Sequence, residues 1–287
     1  MRYAFLAAIF LLFACHEEQT GVVAGPPLRI GVSDAAPPLP VARTPSPSSP
    51  AAPVDAAPPA PAEEFCPVNA SFVALGAETS VTHVACETRV LFVVEGSVEA
   101  SGEEKAGKWK QALGVGDVLV TQGKGGYRVR PSRSGKDAVA PRAVLAILQP
   151  SNCEPNQFTS LSRRPILGKS TKDLSWAGGA MHARTYLEGP AAAVASVGWL
   201  EGTAPVAEHA HEGAWEVLCV VSAAGTMTIA GKPERLAGGT CVRVPAGVKH
   251  AWAPDPGTTL AAVQFYSPPG PEQRFKALAG EVRDGGK

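Results

Sequence analysis

Short runs rich in Val, Leu, Ile and Phe recur along the chain with Gly or Pro between them. They are Arg89–Val94, Val115–Val120, Ala143–Leu148, Ala193–Leu200, Val217–Val221, Met227–Ala230, Thr240–Val244 and Leu260–Tyr266. Runs of this length bounded by turn residues read as strands, and many in series point to an all-β sandwich or barrel. Helical periodicity appears only at Gln273–Ala279, which the Pro-rich turn at 268–271 leads into and which is expected to cap one barrel end. Two segments also repeat in order. Arg89-Val-Leu-Phe-Val-Val matches Glu216-Val-Leu-Cys-Val-Val, and Gly116-Asp-Val-Leu-Val-Thr-Gln122 matches Gly239-Thr-Cys-Val-Arg-Val-Pro245, at shifts of 127 and 123 positions. A nearly constant shift is what a duplicated domain produces, so two tandem β units are expected.

Composition changes the picture mainly toward the N-terminus. Of 27 Pro, 12 fall between Pro26 and Glu64 beside nine Ala, where branched apolar clusters are almost absent. Such a stretch buries too little apolar surface to offset its ordering entropy. Residues 16–64 are therefore expected to be a disordered, partly polyproline II linker. The two β units then take residues 65–155 and 156–287. With 26 Lys+Arg against 26 Asp+Glu the formal net charge is zero, which argues against a nucleic-acid partner or a polybasic membrane contact.

Residues 1–15 read as a signal segment: Arg2, then an apolar run from Ala4 to Ala14, then polar residues from His16. The run is too short for the roughly 20 residues that cross a bilayer as a helix. Its ending, Leu12-Phe13-Ala14-Cys15, resembles the lipobox of bacterial lipoproteins. The resemblance implies that Cys15 carries lipid and holds the chain in the bacterial cell envelope, with a membrane partner through that anchor. His16, in place of an inner-membrane retention Asp, favours the outer membrane, facing the periplasm. Five further cysteines, Cys66, Cys86, Cys153, Cys219 and Cys241, include no C-x-x-C spacing. Thiolate zinc sites and thioredoxin chemistry thus have no support, and the odd count leaves at least one thiol outside intrachain disulfides.

The candidate chemistry lies in the second unit. His209-Ala-His211 puts two imidazoles on one face of a strand, Glu216 opens the next apolar run, and His250 follows Pro245-Ala-Gly247-Val-Lys. Three His and a carboxylate on one point suit a borderline divalent ion such as Mn, Fe, Ni, Zn or Cu. The spacing Gly202-x6-His209-x-His211-x4-Glu216, then Gly239-x5-Pro245-x-Gly247-x2-His250, resembles the two motifs of the cupin superfamily. One extra residue after Gly202, the late Gly225, and Pro254 where the family often has Asn are departures from it. The resemblance implies two tandem cupin jelly-roll barrels, a bicupin, with one metal ion on His209, His211, Glu216 and His250.

Aligning Arg89 with Glu216 puts Thr82 and Val84 where the His pair should be, and Tyr127 in place of His250. His83 is one residue out of register and is expected on the opposite strand face. The first unit is therefore read as a metal-free cupin domain, kept for packing or as one wall of a homodimer. Arg184, Tyr186, Trp252, Gln264 and Tyr266 are candidates for the wall of a substrate pocket. The resemblance further brings the strands carrying Cys219 and Cys241 side by side in one sheet. Both thiols then point out of the barrel, and a directly opposed register would allow a disulfide.

Two functions follow. One is a metal-dependent enzyme of oxygenase, isomerase or lyase type on a small carboxylate, carbonyl or sugar-like substrate. The other is a non-catalytic ligand-binding or structural protein of the periplasm.

Overall fold

A computed structural model describes residues 65–84, 86–132, 140–150, 160–189 and 194–280. The signal segment with Cys15, the Pro-rich linker and Cys153 lie outside the described residues.

The first half contains β1 (Val68–Ala74), β2 (Thr79–His83), β3 (Thr88–Glu95), β4 (Ser97–Glu104) and β5 (Gly107–Gly114). It continues through β6 (Val118–Gln122), β7 (Gly125–Pro131), β8 (Arg142–Leu148) and β9 (Ser162–Ile166). These make a five-stranded sheet in the order β1-β8-β3-β6-β9 and a four-stranded one, β2-β7-β4-β5. The second half contains β10 (Asp173–Trp176), β11 (Met181–Leu187), β12 (Ser196–Gly202), β13 (Val206–His209) and β14 (Trp215–Ser222). Then come β15 (Ala224–Ile229), β16 (Lys232–Ala237), β17 (Thr240–Val244), β18 (His250–Pro254), β19 (Leu260–Ser267) and the helix α1 (Gln273–Leu278). A six-stranded sheet, β10-β11-β12-β19-β14-β17, is accompanied by a four-stranded one, β13-β18-β15-β16.

The duplication is visible in the pairing. β3 lies between β6 and β8 as β14 lies between β17 and β19, and β4 lies between β5 and β7 as β15 lies between β16 and β18. Each half closes its two sheets over its own core. Leu91, Val93, Val98, Leu119 and Val129 fill the first, and Leu218, Val220, Met227, Trp252 and Leu260 fill the second. The fold is all-β, two jelly-roll barrels in tandem.

A third apolar cluster joins the barrels. Val90, Phe92 and Val94 of β3 turn away from their own core and meet Val217 and Cys219 of β14, Val263 and Phe265 of β19, and Tyr186. The Phe92 ring stacks on Trp199 with centroids 5.6 Å apart and meets Tyr186 edge-on at 5.0 Å. Residues 90–94 form an unbroken apolar run because that strand is buried on both faces, one toward each core.

Several expectations change at this level. The boundary expected at 155 to 156 lies outside the described residues, but chain beyond it still serves the first barrel, because β9 pairs with β6, Val118 opposite Ile166, and Leu161 lies in the first core. β6 would otherwise present an open edge of unpaired backbone groups, and β9 satisfies it. Ser162-Arg-Arg-Pro-Ile166 carries too little apolar alternation to be read as a strand from sequence.

His83 faces the core, not away from it. Along β2 Val81 and His83 are buried while Thr82 is exposed. The connection to β3 runs through Cys86 at φ 71°, so counting residues back across that turn misplaces the strand phase by one. His83 Nε2 lies 2.9 Å from Thr121 Oγ1, and its ring is 5.8 Å from Tyr127. Burial, helped by the charge of Arg89, holds His83 down to about 4, so it stays neutral at neutral pH. Cys219 and Cys241 stand directly opposite in β14 and β17 and form a disulfide. Its outward face is covered, since Cys219 is fully buried in the cluster between the barrels. Cys86 is also disulfide-bonded.

Candidate metal centre

The two motif segments of the second half meet because β13 and β18 are neighbours. His209, the last residue of β13, pairs with His250, the first of β18, and their rings are 4.2 Å apart. His211 follows just beyond the strand, its ring 5.0 Å from His209 and 5.1 Å from His250. Glu216 enters from the neighbouring sheet near the start of β14 and is buried. The turn ahead of β18 is tied to the His pair, because the Gly247 N–H donates to the His211 carbonyl at 2.9 Å. Gly247 adopts φ 72°, a left-handed conformation that glycine takes without strain. This turn fixes where β18 begins and so where His250 points.

Donor atoms of His209, His211, Glu216 and His250 all lie within 4.8 Å of one another. His209 Nδ1 is 2.8 Å from the Ala207 carbonyl and His250 Nδ1 is 3.0 Å from that of Val248. A carbonyl only accepts, so both Nδ1 atoms carry the proton and both Nε2 atoms are left as lone-pair donors, the tautomer a metal requires. His250 Nε2 is 2.9 Å from Glu216 Oε2. It is nevertheless buried with no hydrogen-bonding partner among the described residues. An orphaned nitrogen beside a carboxylate is an arrangement that a shared cation satisfies, and the donor set therefore fits a divalent ion. His211 Nε2 is 3.1 Å from the same carboxylate oxygen.

Burial alone would push Glu216 up, but the hydrogen bond from His211 and the close approach of His250 outweigh it and hold the carboxyl well below the usual range. The carboxylate is thus ionised and ready to ligate. Burial, with the nearby Arg274 guanidinium acting in the same direction, lowers His209. Burial opposes protonation of His250 too, yet its contact with Glu216 prevails and raises it. Gln264 Nε2 donates to Glu216 Oε1 at 2.5 Å, so Gln264 orients this ligand.

The cluster opens into a cavity of about 160 Å³. Trp252, Gln264 and Tyr266, expected in the pocket wall, line it. Tyr266 sets its ring edge-on to His211 at 4.9 Å, and burial raises its hydroxyl well above the ordinary value, with the charge of Glu216 acting in the same direction. Gly225 makes room for Trp252, since a Cβ there would come within 2.5 Å of the indole ring. The late glycine of the first motif thus has a packing role.

Arg184 and Tyr186 do not line the cavity. On β11 Met181 and Ala183 take the inward positions. Arg184 therefore points outward, its Nε 3.7 Å from Asp173 Oδ1, and Tyr186 joins the cluster between the barrels. The alternation of β11 was legible in sequence, but its phase was not, since apolar residues occupy both faces.

Sequence reasoning missed Trp176, Arg274 and Phe275 of the cavity wall. The helix near residue 273 was expected over a barrel end, and that was the available signal. Phe275 stacks on Trp176 at 5.5 Å, and the buried Glu272 accepts the Gly270 N–H at 2.6 Å, which together seat α1 over the mouth.

The family model described as the cupin domain matches residues 199–262. No curated protein matches the chain in sequence. Among solved structures, Bacillus subtilis oxalate decarboxylase superposes with a TM-score of 0.55 at 10% identity, covering 73% of this chain and 74% of its own. Vicilin from tomato, Solanum lycopersicum, gives 0.57 at 10% identity over 71% and 76%. A formate complex of Lactobacillus farciminis oxalate decarboxylase gives 0.54 at 10% identity over 72% and 82%. Coverage of that extent exceeds what either barrel alone supplies, so the likeness spans both. At this identity it concerns the fold.

Proposed function

We propose, from the premise that this chain is a member of the cupin superfamily, that its second barrel is a metal-dependent catalytic centre. The reaction would be of oxygenase, isomerase or lyase type, on a small carboxylate, carbonyl or sugar-like substrate. The observation that carries this reading is the convergence of His209, His211, Glu216 and His250 within 4.8 Å at the edge of a cavity able to admit a ligand. A divalent ion held by these four would supply Lewis acidity toward a bound oxygen atom of the substrate. Gln264 would hold Glu216 in its ligating rotamer, and the apolar wall would exclude water, strengthening polar contacts inside. Tyr266, protonated at neutral pH, would serve as a hydrogen-bond donor.

A second reading, a non-catalytic ligand-binding or structural role, is favoured by one observation. Glu216 is the sole carboxylate lining the cavity among the described residues. Glu208 and Glu212 are exposed, and neither lines it. Incubating the chain, loaded in turn with Mn, Fe, Ni, Zn and Cu, with a panel of carboxylates, diketones and sugars separates the two. Metal-dependent product formation or oxygen uptake that disappears in Glu216→Ala supports catalysis, and ligand binding without turnover across the panel supports the second reading.

We also propose that Cys15 carries lipid and that the Pro-rich linker sets the barrels off the surface of the outer membrane, inside the periplasm. The lipobox-like Leu12-Phe13-Ala14-Cys15 supports this reading. Among the described residues no helix is long and apolar enough to cross a membrane. Cys15→Ser is expected to move the chain from the membrane to the soluble fraction or to leave it unprocessed, and unchanged membrane attachment would count against the anchor.

A further inference from the structure

The wall of the cavity divides by chemistry. Beyond the four ligands, the strongly polar side chains lining it are Gln264, engaged with Glu216, and Arg274. The rest is largely apolar, with Met181, Leu218, Met227, Trp252, Phe275 and Leu278 prominent. Arg274 is exposed on α1 and so stands at the mouth. It has no carboxylate partner among the described residues, and its charge reaches His209, His250 and Tyr266. A divalent ion and a guanidinium against the carboxylates of Glu216 and the nearby Glu272 still leave the mouth with excess positive charge, which favours an anion. Behind it lies apolar surface that a small dianion could not cover.

From this division we infer that the ligand is a monocarboxylate with an apolar body about the size of one aromatic ring, its carboxylate drawn to the mouth by Arg274 and its body against the methionines and Trp252. The inference deepens the metal-centre reading and rests on it. Size agrees, because the cavity is about 160 Å³, and an apolar cavity of about 150 Å³ accommodates benzene. Oxalate, with charge at both ends and no apolar body, fits this wall poorly. The inference therefore separates the chain's ligand from that of the oxalate decarboxylases it resembles in fold.

Calorimetric titration of the full chain loaded with Zn²⁺ tests this, using 3-phenylpropionate, its neutral amide and oxalate as probes. 3-Phenylpropionate is expected to bind at least about tenfold more tightly than the amide or oxalate, the worth of one charge-assisted hydrogen bond. Arg274→Gln should weaken 3-phenylpropionate by about 10- to 100-fold and leave the amide unchanged, while Arg274→Lys retains most of the affinity. Zinc content measured on the same samples should stay at that of the parent chain. Tighter binding of oxalate, no binding of 3-phenylpropionate at millimolar concentration, or equal affinity in Arg274→Gln would overturn the inference. Failure of the parent chain to take up zinc would instead sink the metal-centre reading, and the effect of Arg274 would then be read on the metal-free chain.

Discussion

Glu216→Ala should reduce bound metal from close to one ion per chain to below about one tenth, because it removes the only anionic ligand from a set of four and leaves three neutral imidazoles. The carboxylate is the hub of the site. His211 and His250 both approach its Oε2, and Gln264 binds its Oε1. His250→Ala should lose most of the metal as well, since His250 is the ligand whose Nδ1 is anchored to Val248 and whose Nε2 is otherwise orphaned. Elemental analysis after gel filtration reads the outcome. His83→Gln and Tyr127→Phe are the controls and should leave the content unchanged, because the inward histidine of the first barrel is engaged with Thr121. Full metal retention in the ligand variants, or a content near two per chain, would falsify the assignment.

Phe92→Ala is expected to cost about 3–5 kcal/mol in denaturant unfolding, the range for deleting a buried phenyl ring from a packed site. Phe92 is fully buried, yet it points out of its own barrel, against Trp199 and Tyr186 of the other half. Its loss should therefore weaken the coupling of the two barrels and split a single transition into two. Leu91, its neighbour in sequence, faces the first core instead. Leu91→Ala should cost about 2–5 kcal/mol by destabilising the first barrel, and the order in which the two transitions move tells the variants apart. A cost below about 1 kcal/mol for Phe92→Ala, within the range of surface substitutions, would show that the aromatic cluster does not hold the halves together.

How much of the site was legible in sequence follows from how its residues are spaced. His209, His211, Glu216 and His250 lie in two short segments whose spacing is itself diagnostic. In the structure they converge through one strand pair and one glycine turn, β13 with β18 and the turn at Gly247. Trp252 could be placed because it sits two residues beyond a ligand on the same strand, and a period of two carries orientation that far. Arg274 could not, because its position depends on where a helix after the last strand docks. That docking is set by Phe275 against Trp176 and by Glu272, whose carboxylate accepts the Gly189 N–H, contacts between segments far apart in the chain.

The errors share a cause. For His83 the phase of a strand was carried across a turn of uncertain length, and for Arg184 and Tyr186 it was assigned on a strand with apolar residues on both faces. A slip of one residue reverses every side chain. The local pattern of apolar runs and turn residues, repeated at a nearly constant shift, determined by itself an all-β chain of two related units, and the spacing of His209, His211, Glu216 and His250, through its resemblance to the cupin motifs, the four candidate ligands. Tertiary structure alone decided that β9 completes the first sheet, that the Cys219–Cys241 face is sealed between the barrels, and that a helix brings a cation to the mouth of an apolar cavity. Spacing within a segment is encoded in neighbouring residues, whereas edge closure, sheet-face burial and helix docking depend on which distant surfaces best exclude water together.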